Sequence, residues 1–273
     1  MASEKRNGHR RVAIVRGLRT PFAKAGTVFA NLTALDLGRM VVQELVQRSD
    51  LDPNEINQVV FGQVIPTLTA PSIAREVVLA AGLPKRIDAF TVARACATSI
   101  QSMVAGANAI ALGDADVVIT GGTESLSDAP IFTSRPLAHA LAASSKGKSL
   151  PDKLKPFQKL KAKDLIPVPP AIAEYSTGET MGESAEKMAK ENGITREEQD
   201  LIAFNSHQNA ARAWKEGLFE GEVMHVTRAA QVRADRPRRT TSCATTPAWR
   251  RSPSSSRCST AAMAASPPAA RPR

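Results

Sequence analysis

The stretch Ala89-Phe-Thr-Val-Ala-Arg-Ala-Cys96-Ala-Thr-Ser-Ile-Gln-Ser-Met-Val-Ala-Gly-Ala-Asn-Ala-Ile-Ala-Leu112-Gly-Asp-Ala-Asp116-Val-Val-Ile-Thr120 carries three signals in succession. Residues 89–93 form a mostly apolar run of strand length and read as a short buried strand. Residues 97–112 place small and apolar side chains (Ile100, Met103, Val104, Ala107, Ile110, Ala111) at helical spacing, and Gly113 stops them. Residues 116–120 are again strand-like and close on Gly121-Gly122. Strand, helix, strand in that order predicts an α/β fold.

Upstream, the alternation continues. Residues 11–15 are a β-branched run closed by Gly17 and Pro21, which predicts a strand. Residues 33–48 carry a helical stripe of Leu35, Leu37, Met40, Val41, Leu45 and Val46. Residues 56–64 read as a strand between Pro53 and Pro66, and residues 72–81 as a helix stopped by Gly82 and Pro84. The expectation is an α/β core over 11–130 with a partly parallel sheet.

From Pro130 the character changes to Lys, Pro and scattered apolar positions. Lys153, Lys155, Lys159, Lys161 and Lys163 beside Leu154, Phe157, Leu160 and Leu165 make a basic amphipathic segment. A solvated helix face and a docking surface both fit it. Thr180-Met-Gly-Glu183 and Thr195-Arg-Glu-Glu198 match the capping box, in which Thr and Glu satisfy free backbone donors, and each predicts a helix start. Residues 131–226 therefore read as a second, mainly helical region.

The chain has 273 residues and a formal charge of +10. Such a charge ordinarily suggests an anionic partner. Residues 228–273, however, hold ten Arg and one Asp, a net of +9, which leaves +1 for the first 227 residues. That tail is mostly Ala, Arg, Ser, Pro and Thr, with no Leu, Ile or Phe, and cannot bury enough apolar surface to offset its ordering entropy. Residues 227–273 are expected to be disordered. Either a solvated appendage or a phosphate-binding arm fits the composition.

A displaced reading frame explains the abruptness better. One allowed set of codons for residues 248–267, read from its third base, gives Leu-Glu-Ala-Leu-Ala-Lys-Leu-Lys-Pro-Val-Phe-Asp-Arg-Arg-His-Gly-Ser-Val-Thr. This peptide is an amphipathic helix with a turn and a strand start behind it. Three cysteines, the absence of an apolar run near about 20 residues, and charges with no apolar core at the N-terminus point to a cytoplasmic location.

Cys96 is the residue whose setting suggests reactivity. It lies where a strand gives way to a helix, and a thiol there meets the positive end of the helix dipole and free N–H groups, which favour thiolate. Small neighbours (Ala95, Ala97, Thr98, Ser99) leave room for a substrate. On position alone a nucleophile and an inert core cysteine both fit. His207 and His225 have no acid or cysteine at ligand spacing, so no metal site is expected.

The string around Cys96 and the run from Gly113 to Ser127 resemble the thiolase family. So do Arg19-Thr-Pro-Phe22, Asn57-Gln-Val-Val-Phe-Gly-Gln63, Met181-Gly-Glu-Ser-Ala-Glu186 and Thr195-Arg-Glu-Glu-Gln-Asp200. The linker 165–176 is most similar to the thiolase subunit of the fatty-acid oxidation complex, and the displaced peptide resembles the next thiolase segment. The resemblance implies the N-terminal half of a layered αβαβα thiolase fold, incomplete, with an inserted, mainly helical loop domain. It implies 3-ketoacyl-CoA thiolysis with Cys96 as nucleophile and acyl-thioester carrier. No bound cofactor is implied, and coenzyme A is the co-substrate. Met181 and Gly182 match the family loop that lines the pantetheine and acyl tunnel, although Thr180 stands where a His often precedes that Met. Homo-oligomers are usual in the family, and a hydratase/dehydrogenase subunit is the implied partner.

The family's second half supplies an activating His, a second acid/base Cys and the last polar motif, and none of these motifs occurs here. Cys243 and Cys258 match neither. A truncated and inactive polypeptide is therefore expected. A non-catalytic docking fragment and an Arg-tail nucleic-acid binder are the rival readings.

Overall fold

The computed structural model describes residues 11–226. The tail from 227 onward, with Cys243 and Cys258, lies outside the described residues. Two compact units divide the described chain: 11–128 with 200–226, and 129–199. The helical region expected over 131–226 is thus shared between them, residues 200–226 grouping with the first unit.

The first unit is built on a three-stranded parallel sheet of β1 (Gln58–Gly62), β2 (Asp88–Val92) and β3 (Val118–Gly122), in the order β2-β1-β3. The register pairs Gln58 with both Asp88 and Val118, and Gly62 with both Val92 and Gly122, so all three carboxyl ends are level. Helix α1 (Ala34–Arg48) precedes the sheet, α2 (Ile73–Ala80) links β1 to β2, and α3 (Thr98–Leu112) links β2 to β3. The second crossover runs back past β1, opposite in direction to the first. Right-handed crossovers in opposite directions place their helices on opposite faces.

Side chains along a strand alternate between faces, and the packing obeys that alternation. Val59, Phe61 and Ile119 turn to the face covered by α1 and α2, where they join Val42, Val46, Ile73, Ala74, Val77 and Val78 in the hydrophobic core. Ile56 and Ile87, at the entrances to β1 and β2, complete it. Burying each of the Val, Ile and Phe side chains stabilises by roughly 1.5–3 kcal/mol. The other face receives α3 through Gly106, where an added Cβ would lie 2.6 Å from Thr120 Cγ2.

The outer side of α3 has no cover among the described residues: Ile100 is 63 % exposed and Val104 45 %. Residues 95–112 reach a mean hydropathy of 1.2 over 18 residues, enough by length and composition alone to cross a membrane. One side of this helix is nonetheless committed to the sheet, with Ser102 fully buried.

Two sequence expectations need correction. Residues 11–15 form no strand; Ile14 and Val15 lie exposed and bond to no ladder. A β-branched run becomes a strand only when a neighbour satisfies its backbone, and no strand among the described residues offers one. The strand expected to be buried, β2, is an edge strand, with Phe90 40 % exposed, because no described strand lies beyond it.

The second unit is thin in apolar core; Ala140 is the buried apolar side chain of α4 (Arg135–Ser145). The Ser134 hydroxyl caps α4 by accepting from the Leu137 N–H (3.3 Å) and donates to the Asp164 carbonyl (2.6 Å). A two-residue antiparallel bridge joins Phe132 and Val168. Between them lie α5 (Leu150–Leu154) and the lysine-bearing 3-10 turns Lys155–Lys159 and Ala162–Leu165. Both capping boxes form, one at α6 (Met181–Glu191) and one at α7 (Arg196–Lys215).

Candidate active site

Cys96 is exposed on the turn between β2 and α3. The residue before it, Ala95, has φ +44°, the left-handed region that costs an L-residue roughly 1–2 kcal/mol. Such strain collects where a site needs a particular backbone direction. Thr98 closes the turn. Its hydroxyl accepts from the Arg94 N–H (2.8 Å) and donates to the Ala95 carbonyl (2.7 Å), and its side chain is buried. No side chain caps α3 at Ala97.

Two glycines make room for this turn. An added Cβ at Gly62, the last residue of β1, would lie 1.9 Å from Thr98 Cγ2, and one at Gly122, the last residue of β3, would lie 2.7 Å from Ser99 Oγ. The start of α3 therefore rests directly on the carboxyl ends of two adjacent strands.

Past those ends lies an open cavity of about 770 Å³. Arg19, Phe22, Cys96, Ser99, Gly122 and Glu124 are among its lining residues. The crevice outside the carboxyl ends of parallel strands is where open α/β sheets bind ligands. Its wall is held by the segment after β3, which bonds to three other segments. The Thr123 hydroxyl donates to the Ala34 carbonyl (2.7 Å) and the Ser125 hydroxyl to the Leu32 carbonyl (2.8 Å). The Glu124 carboxylate accepts from the Val64 N–H (2.7 Å) and Ile65 N–H (3.2 Å). The Ser127 hydroxyl accepts from the Gly26 N–H (2.9 Å).

Arg19, also at the cavity, stacks its guanidinium over Phe22 (4.8 Å) and Phe219 (5.2 Å) and pairs with Glu222. Backbone bonds between Arg19 and both Glu222 and Met224 make a short bridge there. Arg19 and Glu124 stand in motifs that the sequence displays, yet their partners, 203 and 60 residues away, carry no local signal. The sequence marks Thr98 only as a small neighbour of Cys96.

Met181 and Gly182 open α6 in the second unit, and Met181 is half exposed. The helix start is held by the Thr180–Glu183 box: the Glu183 carboxylate accepts from the Thr180 N–H (2.8 Å) and hydroxyl (3.0 Å). These bonds, the backbone one foremost, lower the Glu183 carboxyl below its ordinary value.

The family model for the thiolase N-terminal domain matches residues 12–245. The chain belongs to the thiolase family. It is 53 % identical over 214 residues to a 3-ketoacyl-CoA thiolase of Photobacterium profundum, a match covering 78 % of this chain and 49 % of that relative. The 3-ketoacyl-CoA thiolase of Erwinia tasmaniensis matches with the same identity and coverage. Among solved structures, the Bacillus anthracis acetyl-CoA acetyltransferase aligns with a TM-score of 0.71 at 27 % identity, over 84 % of this chain and 54 % of that one. An Ascaris suum thiolase in complex with coenzyme A aligns with a TM-score of 0.65 at 30 % identity, over 77 % and 50 %. The thiolase fold expected from the motifs is therefore present, and the chain spans about half the length of the curated relatives it matches.

Proposed function

We propose that this chain is the nucleophile-bearing half of a 3-ketoacyl-CoA thiolase, able to present Cys96 but not to complete the reaction alone. The observation that carries the reading is Cys96 itself, exposed beside the cavity at a strained turn and in a chain 53 % identical to enzymes of that name. In the proposed chemistry the Cys96 thiolate attacks the 3-keto carbon, and the bond between carbons 2 and 3 breaks. Acetyl-CoA leaves as an enolate that takes up a proton, and the acyl group stays on Cys96 as a thioester. The thiol of a coenzyme A molecule then attacks that thioester carbonyl, releases the shortened acyl-CoA and returns Cys96. Two half-reactions of this kind are nucleophilic catalysis with ping-pong kinetics.

Both half-reactions need a base near the attacking sulfur, and the first also needs a proton donor near the enolate. Among the described residues no His lines the cavity. The resemblance assigns the His and the second Cys to the family's second half, whose motifs this sequence does not show, so turnover by this chain is expected to be absent. Coenzyme A as co-substrate is supported by the complex of the Ascaris suum thiolase, with Met181 and Gly182 as the proposed tunnel contacts. A cytoplasmic location and, for the whole enzyme, homo-oligomers belong to the same family reading. The test is a thiolysis assay of the purified chain with acetoacetyl-CoA and coenzyme A. Rates equal to those of Cys96→Ser are expected, whereas sustained turnover at an enzyme's rate would overturn the claim of incompetence.

A second reading, docking without catalysis, is favoured by the exposed Leu150, Leu154 and Leu165 among the lysines of α5 and the two 3-10 turns after it. It takes a hydratase/dehydrogenase subunit as partner. Co-purification abolished by charge reversal of Lys153, Lys155 and Lys159 would support it, and unchanged recovery would remove it.

A further inference from the structure

The turn that presents Cys96 is held in an unfavourable backbone conformation, and one side chain supplies two of the bonds that hold it. Ala95 sits at φ +44°, where nothing in its own chemistry favours it. The Thr98 hydroxyl reaches back across the turn, accepting from the Arg94 N–H at 2.8 Å and donating to the Ala95 carbonyl at 2.7 Å. Two further backbone bonds, Ala97 N–H to Arg94 carbonyl (3.0 Å) and Thr98 N–H to Ala95 carbonyl (3.1 Å), complete the ring. Cys96 lies inside that ring, so its direction is set by the ring's closure. The methyl of the same side chain is fixed from the other side, because Thr98 Cγ2 occupies the space that a Cβ on Gly62 would take.

We infer that Thr98 is a positioning residue whose hydroxyl, more than its volume, holds Ala95 in the left-handed conformation and so sets the placement of the Cys96 thiol at the start of α3. The inference rests on the reading of Cys96 as the nucleophile, and it separates two properties of threonine. Thr98→Val keeps the shape and removes the hydroxyl, leaving the Arg94 N–H without its partner in a partly buried turn, a costly arrangement. Thr98→Ser keeps the hydroxyl and removes the methyl.

The experiment uses the full chain with two readouts: hydrogen exchange of the Arg94 amide by NMR, and the rate of Cys96 alkylation by iodoacetamide resolved by peptide mass. Thr98→Val is expected to speed Arg94 exchange at least tenfold and slow Cys96 alkylation at least fivefold. Thr98→Ser should restore both to within about threefold of the parent. Equal effects of the two variants would assign the role to packing and overturn the inference, as would a Thr98→Val chain indistinguishable from the parent. If Thr98→Val does not fold, Thr98→Ala is read by the same two measurements. Failure of the underlying reading looks different. A parent Cys96 that reacts no faster than glutathione removes the nucleophile, while the Arg94 exchange pattern still decides what holds the turn.

Discussion

At Gly62, a single absent carbon joins the strand to the site. Its missing Cβ is what allows Thr98 Cγ2 to sit against the end of β1. Gly62→Ala forces overpacking against a buried side chain, and such insertions cost about 1–3 kcal/mol. The loss should appear as a lowered urea midpoint. Because the severe clash is with Cγ2 at 1.9 Å, the next contact being the Val92 carbonyl oxygen at 3.1 Å, Gly62→Ala with Thr98→Ser should recover most of it; an additive loss in the double variant would show that the strand end, not the methyl, is the obstacle. Arg19 offers a second case. Its two ring contacts and its partly exposed pair with Glu222 are each small, about 0.5–1 kcal/mol. Arg19→Ala should therefore cost about 1.5–3 kcal/mol, checked by denaturant unfolding, with the backbone bridge to Glu222 and Met224 intact. Cys96 is legible in the sequence because the strand-to-helix transition is local. Thr98, Gly62 and Arg19 act on residues distant in sequence or on backbone angles, neither of which composition displays.

Elements with their own start and stop signals are legible in the sequence, and those that depend on neighbours are not. Helices α1 and α6 begin where Thr33 and Thr180 bond back to the third helical residue, a pattern written within four positions. Residues 11–15 and β2 depend instead on what lies beside them, so the same β-branched vocabulary gives an unpaired segment in one place and a half-exposed edge in the other. The α6 box carries a pH dependence of known sign. Its carboxyl, Glu183, is lowered in the folded chain by its bonds to Thr180, so its contribution is complete above the ordinary carboxylate value of 4.5 and is lost as pH falls through the lowered value. Backbone amide exchange at the start of α6 should accelerate over that acid interval in the parent. In Glu183→Gln the step should vanish, since the amide can accept the same bonds but does not titrate. A step of equal size in the variant would assign the titration to another group.

Over the whole molecule, charge marks a boundary near residue 227, while the family model runs on to residue 245. The body to residue 227 is nearly neutral while the last 46 residues carry nine of the ten net charges, and the match to the curated relatives covers 214 residues, about half of their length. Among the described residues nothing covers Ile100, Met103 and Val104 on the outer side of α3, and β3 is an edge of the sheet, so both surfaces are open to a covering segment. The displaced frame supplies a candidate, because the peptide it gives under one allowed set of codons is amphipathic and apolar where the tail is neither. Shifting the frame of the gene near codon 227 is therefore expected to yield a longer chain that thiolyses acetoacetyl-CoA. In that chain Cys96→Ser should lower the rate by roughly three orders of magnitude or more, as loss of a nucleophile does in other enzymes. The frame proposal fails if genomic resequencing finds the 273-residue frame intact and the shifted gene yields a chain that neither folds nor turns over. It holds if the shifted chain is active and the parent is silent, because the two share every described residue around Cys96 and differ only beyond codon 227.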